Sequence, residues 1–296
     1  MNKYVIVSDS CCDLEKELRE RYDIEYLPMH FTVDGKDYFA DLDWAQVSSR
    51  EFYDMMRNGK RIFTSQVNEA QYLEAFEKYL SDGYDILSIS CSSALSASVK
   101  ESRLAKEQLQ GKFPERKIIC IDSLVACYGL GLLCIRASEL RAEGKTIEET
   151  AEWIEANKLT MHQEATPEKL TYLKQAGRVS AGSAFFGGLL NIKPIIISDA
   201  IGQNAAVEKV KGRQVSIERL VTRCLEEIVD VPYQRFFISH ADHLEDAEKL
   251  KAVLLEKLGK DVEVHIGIIG PTVGASVGPG TLGLYYYGKE VTYNKP

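Results

Sequence analysis

Apolar runs alternate with amphipathic stretches along the first half of the chain. "YVIVSD" (4–9), "YDILSIS" (84–90) and "KIICID" (117–122) have the short apolar pattern of buried strands. Stretches of helical period follow them, as in "SVKESRLAKEQL" (98–109). Such alternation is typical of crossover units on a parallel sheet. The pattern predicts an α/β N-terminal domain with flanking helices and a mostly parallel, Rossmann-like sheet.

One hairpin interrupts this alternation. "HFTVDGKDYF" (30–39) places Asp34-Gly35 between two apolar runs, the residue pair that a tight two-residue turn requires. Helix starts are marked elsewhere by serine or threonine followed three residues later by glutamate, which predicts capping boxes. These pairs are Ser48 with Glu51 and Thr146 with Glu149.

The pattern changes after the helix that ends near Lys158. "KPIIISDAIGQNAAVEKV" (193–210) predicts two strands about an Ile-Gly turn, and long helices are predicted at 215–229 and 242–257. Further strands are predicted near "RFFISH", "VEVHIGII" and "TLGLYYYG". We therefore expect two domains, residues 1–160 and 161–296, the second an α/β domain with a mixed or antiparallel sheet.

Net charge, apolar stretches and cysteine spacing limit the kinds of partner, location and site that we expect. The 44 acidic and 36 basic residues give a net charge of −8, which offers no electrostatic reason to expect nucleic acid as a partner. The first apolar stretch is too short for a signal peptide or a transmembrane segment, so we expect a cytoplasmic protein. The seven cysteines have no CxxC spacing, which favours reduced, buried thiols over disulfides or a metal site.

Hydroxyl groups are concentrated at the end of one predicted strand. "SISCSSALSAS" (88–98) passes from that strand into a helix, where N–H groups and serine hydroxyls form a cradle for an anion. A single serine here would more often be a helix cap. "FTSQV" (63–67) has the composition of a loop, and it gains meaning because hydroxyls from two segments can hold a carboxylate from both sides.

Two further segments are candidates for ligand contact. "IGPTVGASVGPGTLG" (269–283) is glycine-rich but matches neither the dinucleotide fingerprint nor the P-loop, and it favours a tight turn over a ligand wall. Arg178 follows a helix stop and precedes an apolar segment of small residues, which suits either a solvated side chain or a contact to an anion or partner. His240 and His243 have no evident third ligand, so no metal site is expected.

Taken in order, these segments resemble the DegV family of bacterial fatty-acid-binding proteins. The resemblance is carried by "TSQ" (64–66), "SSALSAS" (92–98), "YLKQAGRVS" (172–180), "LLNIKPII" (189–196) and "VGPGTLG" (277–283). It implies a two-domain α/β protein that encloses one long-chain, palmitate-like fatty acid as its bound ligand, without a cofactor and without catalysis. The carboxylate contacts that it implies are Thr64 and Ser96 first, with Ser93, the amide of Ala97, Ser65, Ser276 and Gly278 as neighbours.

The resemblance also implies a partner. Some family members present the fatty acid to a separate kinase, and Arg178 of the "GRVS" segment occupies the position implied for that encounter. Where members commonly have Gly-Thr-His-x-Gly-Pro-Gly, this chain has "GASVGPG" (274–280), so Ser276 stands in place of the histidine expected at a phosphorylated head group. The alternative is an enzyme or phosphotransfer partner acting on a small carboxylic or hydroxylated substrate.

Overall fold

The computed structural model describes residues 3–180 and 191–294, and we number its strands β1–β13 and its helices α1–α10 in chain order. The small-residue segment after Arg178, with the first two residues of "LLNIKPII", lies outside the described residues.

A four-stranded parallel sheet forms the centre of the N-terminal half. Its strands are β1 (Tyr4–Asp9), β2 (Ile24–Leu27), β6 (Asp85–Ser90) and β7 (Ile118–Asp122), in the order β2-β1-β6-β7. Every residue of β1 and β6 is buried, as in a sheet covered on both faces. The predicted parallel sheet is confirmed.

The N-terminal half contains six helices among its described residues. They are α1 (Lys16–Tyr22), α2 (Ser49–Arg57), α3 (Glu69–Ser81), α4 (Ser98–Gln110), α5 (Cys127–Ala142) and α6 (Ile147–Asn157). The predicted capping boxes at Ser48 and Thr146 are both formed, and Asn68 with Gln71 makes a third. Helix α5 is buried along most of its length because it packs against strands of both large sheets.

A small antiparallel sheet stands beside the larger one. Strands β3 (His30–Val33), β4 (Lys36–Phe39) and β5 (Phe63–Ser65) are ordered β4-β3-β5. Asp34 and Gly35 turn with φ of 51° and 75°, which confirms the predicted hairpin. The interpretation of 63–67 as a loop was wrong, because Phe63–Ser65 pairs with β3 as an edge strand.

The second large sheet is built after residue 160 and is mixed. Strands β8 (Met161–Thr166), β9 (Ile192–Ser198), β10 (Asn204–Lys211), β11 (Phe236–His240), β12 (Val264–Ile268) and β13 (Leu282–Tyr287) are ordered β10-β9-β8-β13-β11-β12. Only the β11–β12 pair is parallel among these described strands. The predicted mixed sheet is confirmed.

Four helices accompany this second sheet. They are α7 (Thr171–Ala176), α8 (Arg213–Glu227), α9 (Leu244–Leu258) and α10 (Pro271–Val277). The tight turn expected in the glycine-rich segment lies at 278–280, and the helix α10 before it was not expected. Pro271 occupies the first turn, where its missing N–H costs no hydrogen bond, and Gly278 with φ of 79° follows the last helical residue.

The largest hydrophobic cluster contains residues of both halves, beside a separate cluster within the second half. Phe237, Ile269 and Tyr285 of the second half pack in the same cluster as the buried residues of β1 and α5. Hydrogen bonds also cross between the halves, as from the Tyr53 hydroxyl to the Ile269 carbonyl oxygen at 2.7 Å. The change of sheet falls between Asn157 and Met161, and the division into two domains there remains an interpretation of the chain.

Within the described part of the chain, no helix combines the length and the apolar character needed to cross a bilayer.

Candidate functional site

The site is a cavity between the two large sheets and the small one. It measures about 100 Å³ by the volume open to the centre of a water-sized sphere, where one water requires roughly 10–15 Å³. The space is several times that of one water, and residues of both halves of the chain line it.

Hydroxyl groups from separate segments line the cavity, and two of them, on Thr64 and Ser276, also line a surface groove beside it, so we call this part of the wall the hydroxyl end. Thr64 of β5 is half-buried and pairs with the buried Phe31 of β3. Ser96 lies in the turn between β6 and α4, and Ser276 lies on α10. All three line the cavity, together with Ser65 and Ala97. Antiparallel pairing, a strand-to-helix turn and a short helix thus bring distant hydroxyls to one place.

The serine hydroxyls of the turn at 92–98 have different partners. Ser92 is buried, and its hydroxyl donates to the Gly202 carbonyl oxygen at 2.8 Å, which joins the two halves. Ser96 Oγ lies 3.1 Å from Ser98 Oγ and accepts from the Ser98 amide at 3.3 Å. Ser98 is fully buried. Of these three serines, Ser96 is the one whose side chain is at the cavity wall.

Two predicted ligand contacts lie elsewhere. Ser93 is exposed, and its amide donates to Asp122 Oδ1 at 3.0 Å. A Cβ on Gly278 would lie 2.1 Å from the ring of Tyr172, so this glycine is required for close packing. Neither residue is among the described residues that line the cavity. Their assignment as ligand contacts remains a prediction from the resemblance.

Arg178 lies where the cavity meets the surface. Its side chain is exposed, and Nε donates to the Leu95 carbonyl oxygen at 3.3 Å. The Asn204 side chain donates to the Arg178 carbonyl oxygen at 2.9 Å, which fixes the backbone at this point. The guanidinium is therefore near the hydroxyl end of the cavity and remains open to solvent.

The rest of the lining is mainly apolar or of low polarity. Sulfur-containing side chains form part of the N-terminal wall: Cys11, Met29, Cys91 and Cys127. Branched aliphatic side chains come from both halves: Leu95, Leu173, Ile196, Ile269, Val273 and Val277. Burial raises the pKa of the Cys127 thiol well above its usual value. The thiol is therefore neutral at physiological pH and packs as a small apolar group.

Polar groups missed from the sequence occupy the wall formed by the second sheet. Gln163 accepts from the Ala126 amide at 2.7 Å and donates to Asn204 Oδ1 at 3.2 Å. Ser239 Oγ lies 3.0 Å from the Tyr285 hydroxyl. All four side chains line the cavity. The residues next to them in the sequence are those of ordinary strands and give no signal of a site. The order of the strands in the sheet brings these side chains together.

Two buried carboxyl groups lie behind the sulfur-rich wall. Burial raises the pKa of Asp9 to about 6, although amide hydrogen bonds from Cys91 and Cys11 oppose the rise. Burial raises the pKa of Asp13 to about 8. No group of three or more candidate metal ligands occurs within residues 3–180 and 191–294.

The parallel and mixed sheets enclose a cavity that carries hydroxyl groups, which defines the class of the protein as a two-sheet α/β fold with an internal cavity. The family model for "Uncharacterised protein, DegV family" matches residues 3–289. A DegV domain-containing protein of Clostridium perfringens is 36% identical over 288 residues, which cover 97% of this chain and 98% of that protein. The chain therefore belongs to the DegV family.

Solved structures give the same fold. A DegV lipid binding protein from Thermotoga maritima matches with a TM-score of 0.85 and 26% identity, covering 98% of this chain and 100% of its own. A DegV family protein from Thermus thermophilus, described by its fatty acid binding, matches with a TM-score of 0.85 and 25% identity, covering 97% and 100%. The predicted family and two-sheet α/β architecture are confirmed.

Proposed function

We propose that this protein binds one long-chain fatty acid, with the tail in the cavity and the carboxylate at its hydroxyl end. The observation that carries the proposal is the composition of the cavity wall, in which hydroxyls from three separate segments meet many aliphatic and sulfur-containing side chains. The fatty-acid binding described for the Thermus thermophilus relative supports it.

Tail burial supplies most of the affinity in this proposal. About fifteen methylenes at roughly 0.8 kcal/mol each give a gross gain of about 12 kcal/mol before the costs of ordering. The hydroxyl groups of Thr64 and Ser96 set the orientation, because a net hydrogen bond adds only about 0.5–1.5 kcal/mol. Neutral hydroxyls also leave no buried cation unpaired when the carboxylate is modified.

The roles of a partner kinase and of Arg178 in meeting it rest on the family resemblance. Exposure of the guanidinium beside the hydroxyl end supports that role, since a docking partner would reach both. The replacement of the expected histidine by Ser276 leaves a hydroxyl at this point.

Removing the head-group hydroxyls tests the proposal. We expect Thr64→Ala with Ser96→Ala to weaken palmitate binding by about 5- to 150-fold, the loss of two net hydrogen bonds, while tail-driven binding persists. Displacement of a fluorescent fatty acid measures the affinity, and native mass spectrometry measures the stoichiometry.

Ser93→Ala is the matched control, because this serine is exposed and lies off the cavity wall. It should bind palmitate like the unmodified chain. A protein that takes up no fatty acid but turns over a carboxylic substrate, with turnover abolished by Ser96→Ala, would instead establish the enzyme alternative.

A further inference from the structure

A groove on the surface adjoins the hydroxyl end of the cavity. Its volume is about 480 Å³, and Thr64, Arg178 and Ser276 line both the groove and the cavity. A substituent on the carboxyl carbon of a bound acyl chain would therefore leave the cavity into this groove. The geometry depends on the proposed function, since it requires the acyl group to have its carboxyl end at Thr64 and Ser96.

The groove is cationic in a protein of net charge −8. Four basic side chains line it, and no acidic residue is among its described lining: the cations are Lys60, Arg61, Lys169 and Arg178. The segment 181–190, which follows Arg178 in the chain, contains no charged residue in its sequence. We call this feature the cationic groove.

Three of these cations are not neutralised. Lys60 pairs with Asp34 at 2.7 Å, between exposed side chains. Arg61, Lys169 and Arg178 form no ion pair with any carboxylate in residues 3–180 and 191–294. Unpaired cations that converge on one concave surface attract anions in the same way as other clefts lined by one sign of charge.

An aromatic ring lies at the same surface. Phe63 is 58% exposed, and the Arg61 guanidinium carbon is 4.9 Å from the centroid of its ring. An exposed ring next to a guanidinium is a platform on which a planar base can stack. The side chains that α10 contributes to the groove are small, those of Ala275 and Ser276, and Ser276 also lines the cavity.

We propose that the protein also binds long-chain fatty acyl thioesters of coenzyme A. The acyl chain occupies the cavity, the thioester passes Ser276, and the phosphates lie on Arg61, Lys169 and Arg178. Coenzyme A carries a phosphomonoester of about −1.5 to −2 charge at pH 7 in addition to its pyrophosphate. The part of coenzyme A beyond the thioester extends out of the cavity into the groove. Its adenine is planar and can stack on the ring of Phe63.

The test compares palmitoyl-coenzyme A with palmitate on the full chain. Both should displace the same fluorescent fatty acid. Increasing KCl from 50 to 500 mM should weaken palmitoyl-coenzyme A binding strongly and palmitate binding little, because salt screens exposed charges.

Charge reversal gives the sharper comparison. Arg61→Glu and Lys169→Glu should each weaken palmitoyl-coenzyme A by about three- to tenfold, the size of an exposed charged contact, and leave palmitate unchanged. Lys260→Glu makes the same charge change at an exposed position after α9 and should affect neither ligand. Phe63→Ala should weaken palmitoyl-coenzyme A only.

The outcomes separate the two proposals. If palmitate binds but palmitoyl-coenzyme A does not, or if the groove variants bind it like Lys260→Glu, this inference is overturned and the fatty-acid proposal stands. If neither ligand binds, the fatty-acid proposal fails and this inference fails with it. Binding of palmitoyl-coenzyme A that does not compete with palmitate would also overturn the inference, since the two acyl chains must share one cavity.

Discussion

At the scale of single residues, the buried carboxyl of Asp13 is the most unusual electrostatic feature. Asp13 is 3% exposed, and neither oxygen accepts a well-formed hydrogen bond from the described residues. Burial raises its pKa to about 8, and the nearby Cys127 thiol and Gly270 amide oppose the rise only in part. The native protein therefore keeps this carboxyl protonated at neutral pH.

This raised pKa makes stability depend on pH. An unfolded aspartate has a pKa of about 3.9, so between about pH 4 and 8 the native state holds a proton that the unfolded state has lost. The free energy of unfolding consequently falls as the pH rises through this window. We expect Asp13→Asn to remove its share of this loss and to stabilise the protein by roughly 1–3 kcal/mol at pH 8, with little effect at pH 4. The smaller loss between about pH 4 and 6 should remain, because burial also raises the pKa of Asp9 to about 6.

Asp9 provides the matched comparison in urea denaturation across pH 4–9. Its carboxylate accepts from the Cys11 and Cys91 amides at 3.0 and 2.9 Å, and asparagine retains only one acceptor oxygen. Asp9→Asn should therefore destabilise the protein, by roughly 1–3 kcal/mol. If Asp13→Asn loses stability with pH as steeply as the unmodified chain, the assignment of the proton to Asp13 is wrong.

At the scale of elements, α10 depends on the glycine that ends it. Gly278 has φ of 79°, and a Cβ there would lie 2.1 Å from the Tyr172 ring. Gly259, which ends α9, has φ of 108° with no atom near its missing Cβ. The pair therefore separates backbone strain from crowding, because both glycines have positive φ and only one is enclosed.

We expect Gly259→Ala to cost about 1 kcal/mol, from backbone strain alone. Gly278→Ala should cost about 1–3 kcal/mol more, because the ring of Tyr172 has to move out of a packed site. Denaturation in urea measures both variants. Equal losses would show that the ring yields freely and that packing does not explain this glycine.

The elements also show which parts of the fold could be predicted from sequence. The Asp34-Gly35 hairpin and the capping box at Ser48 are encoded within a few residues, and both were predicted correctly. Strand β5 was not, since three residues form a strand only through pairing with β3. Helix α10 was not predicted either, because the glycine content of this segment favours a turn. The close packing of Tyr53 and Tyr172 against the glycines, which favours the helix, is not visible in the sequence.

Some residues of the candidate site were predicted from the sequence and others were missed. Thr64 and Ser96 were selected from hydroxyl clusters and family resemblance, and the structure brings both to one cavity. Gln163, Asn204 and Tyr285 were missed, since each looks like an ordinary strand residue until the β10-β9-β8-β13 order places them on one wall. Which strands are neighbours depends on pairing between residues far apart in the chain, and this pairing cannot be read from a single sequence.

At the scale of the whole molecule, the shared core predicts how the protein unfolds. The cluster that contains β1 and α5 also contains Phe237 and Tyr285 of the second sheet. Residues 1–160 alone would expose this surface. We therefore expect one cooperative transition in urea, although two-domain proteins often unfold in two steps.

Two signals test this expectation. Both tryptophans, Trp44 and Trp153, lie in the first half, whereas the helical circular dichroism signal includes α8 and α9 of the second. The midpoints from fluorescence and circular dichroism should coincide, and two separated transitions would refute the shared core as a cooperative unit. Palmitate at 100 times its dissociation constant should shift both midpoints together by about 2.7 kcal/mol of stability, because a ligand held between the halves stabilises them jointly.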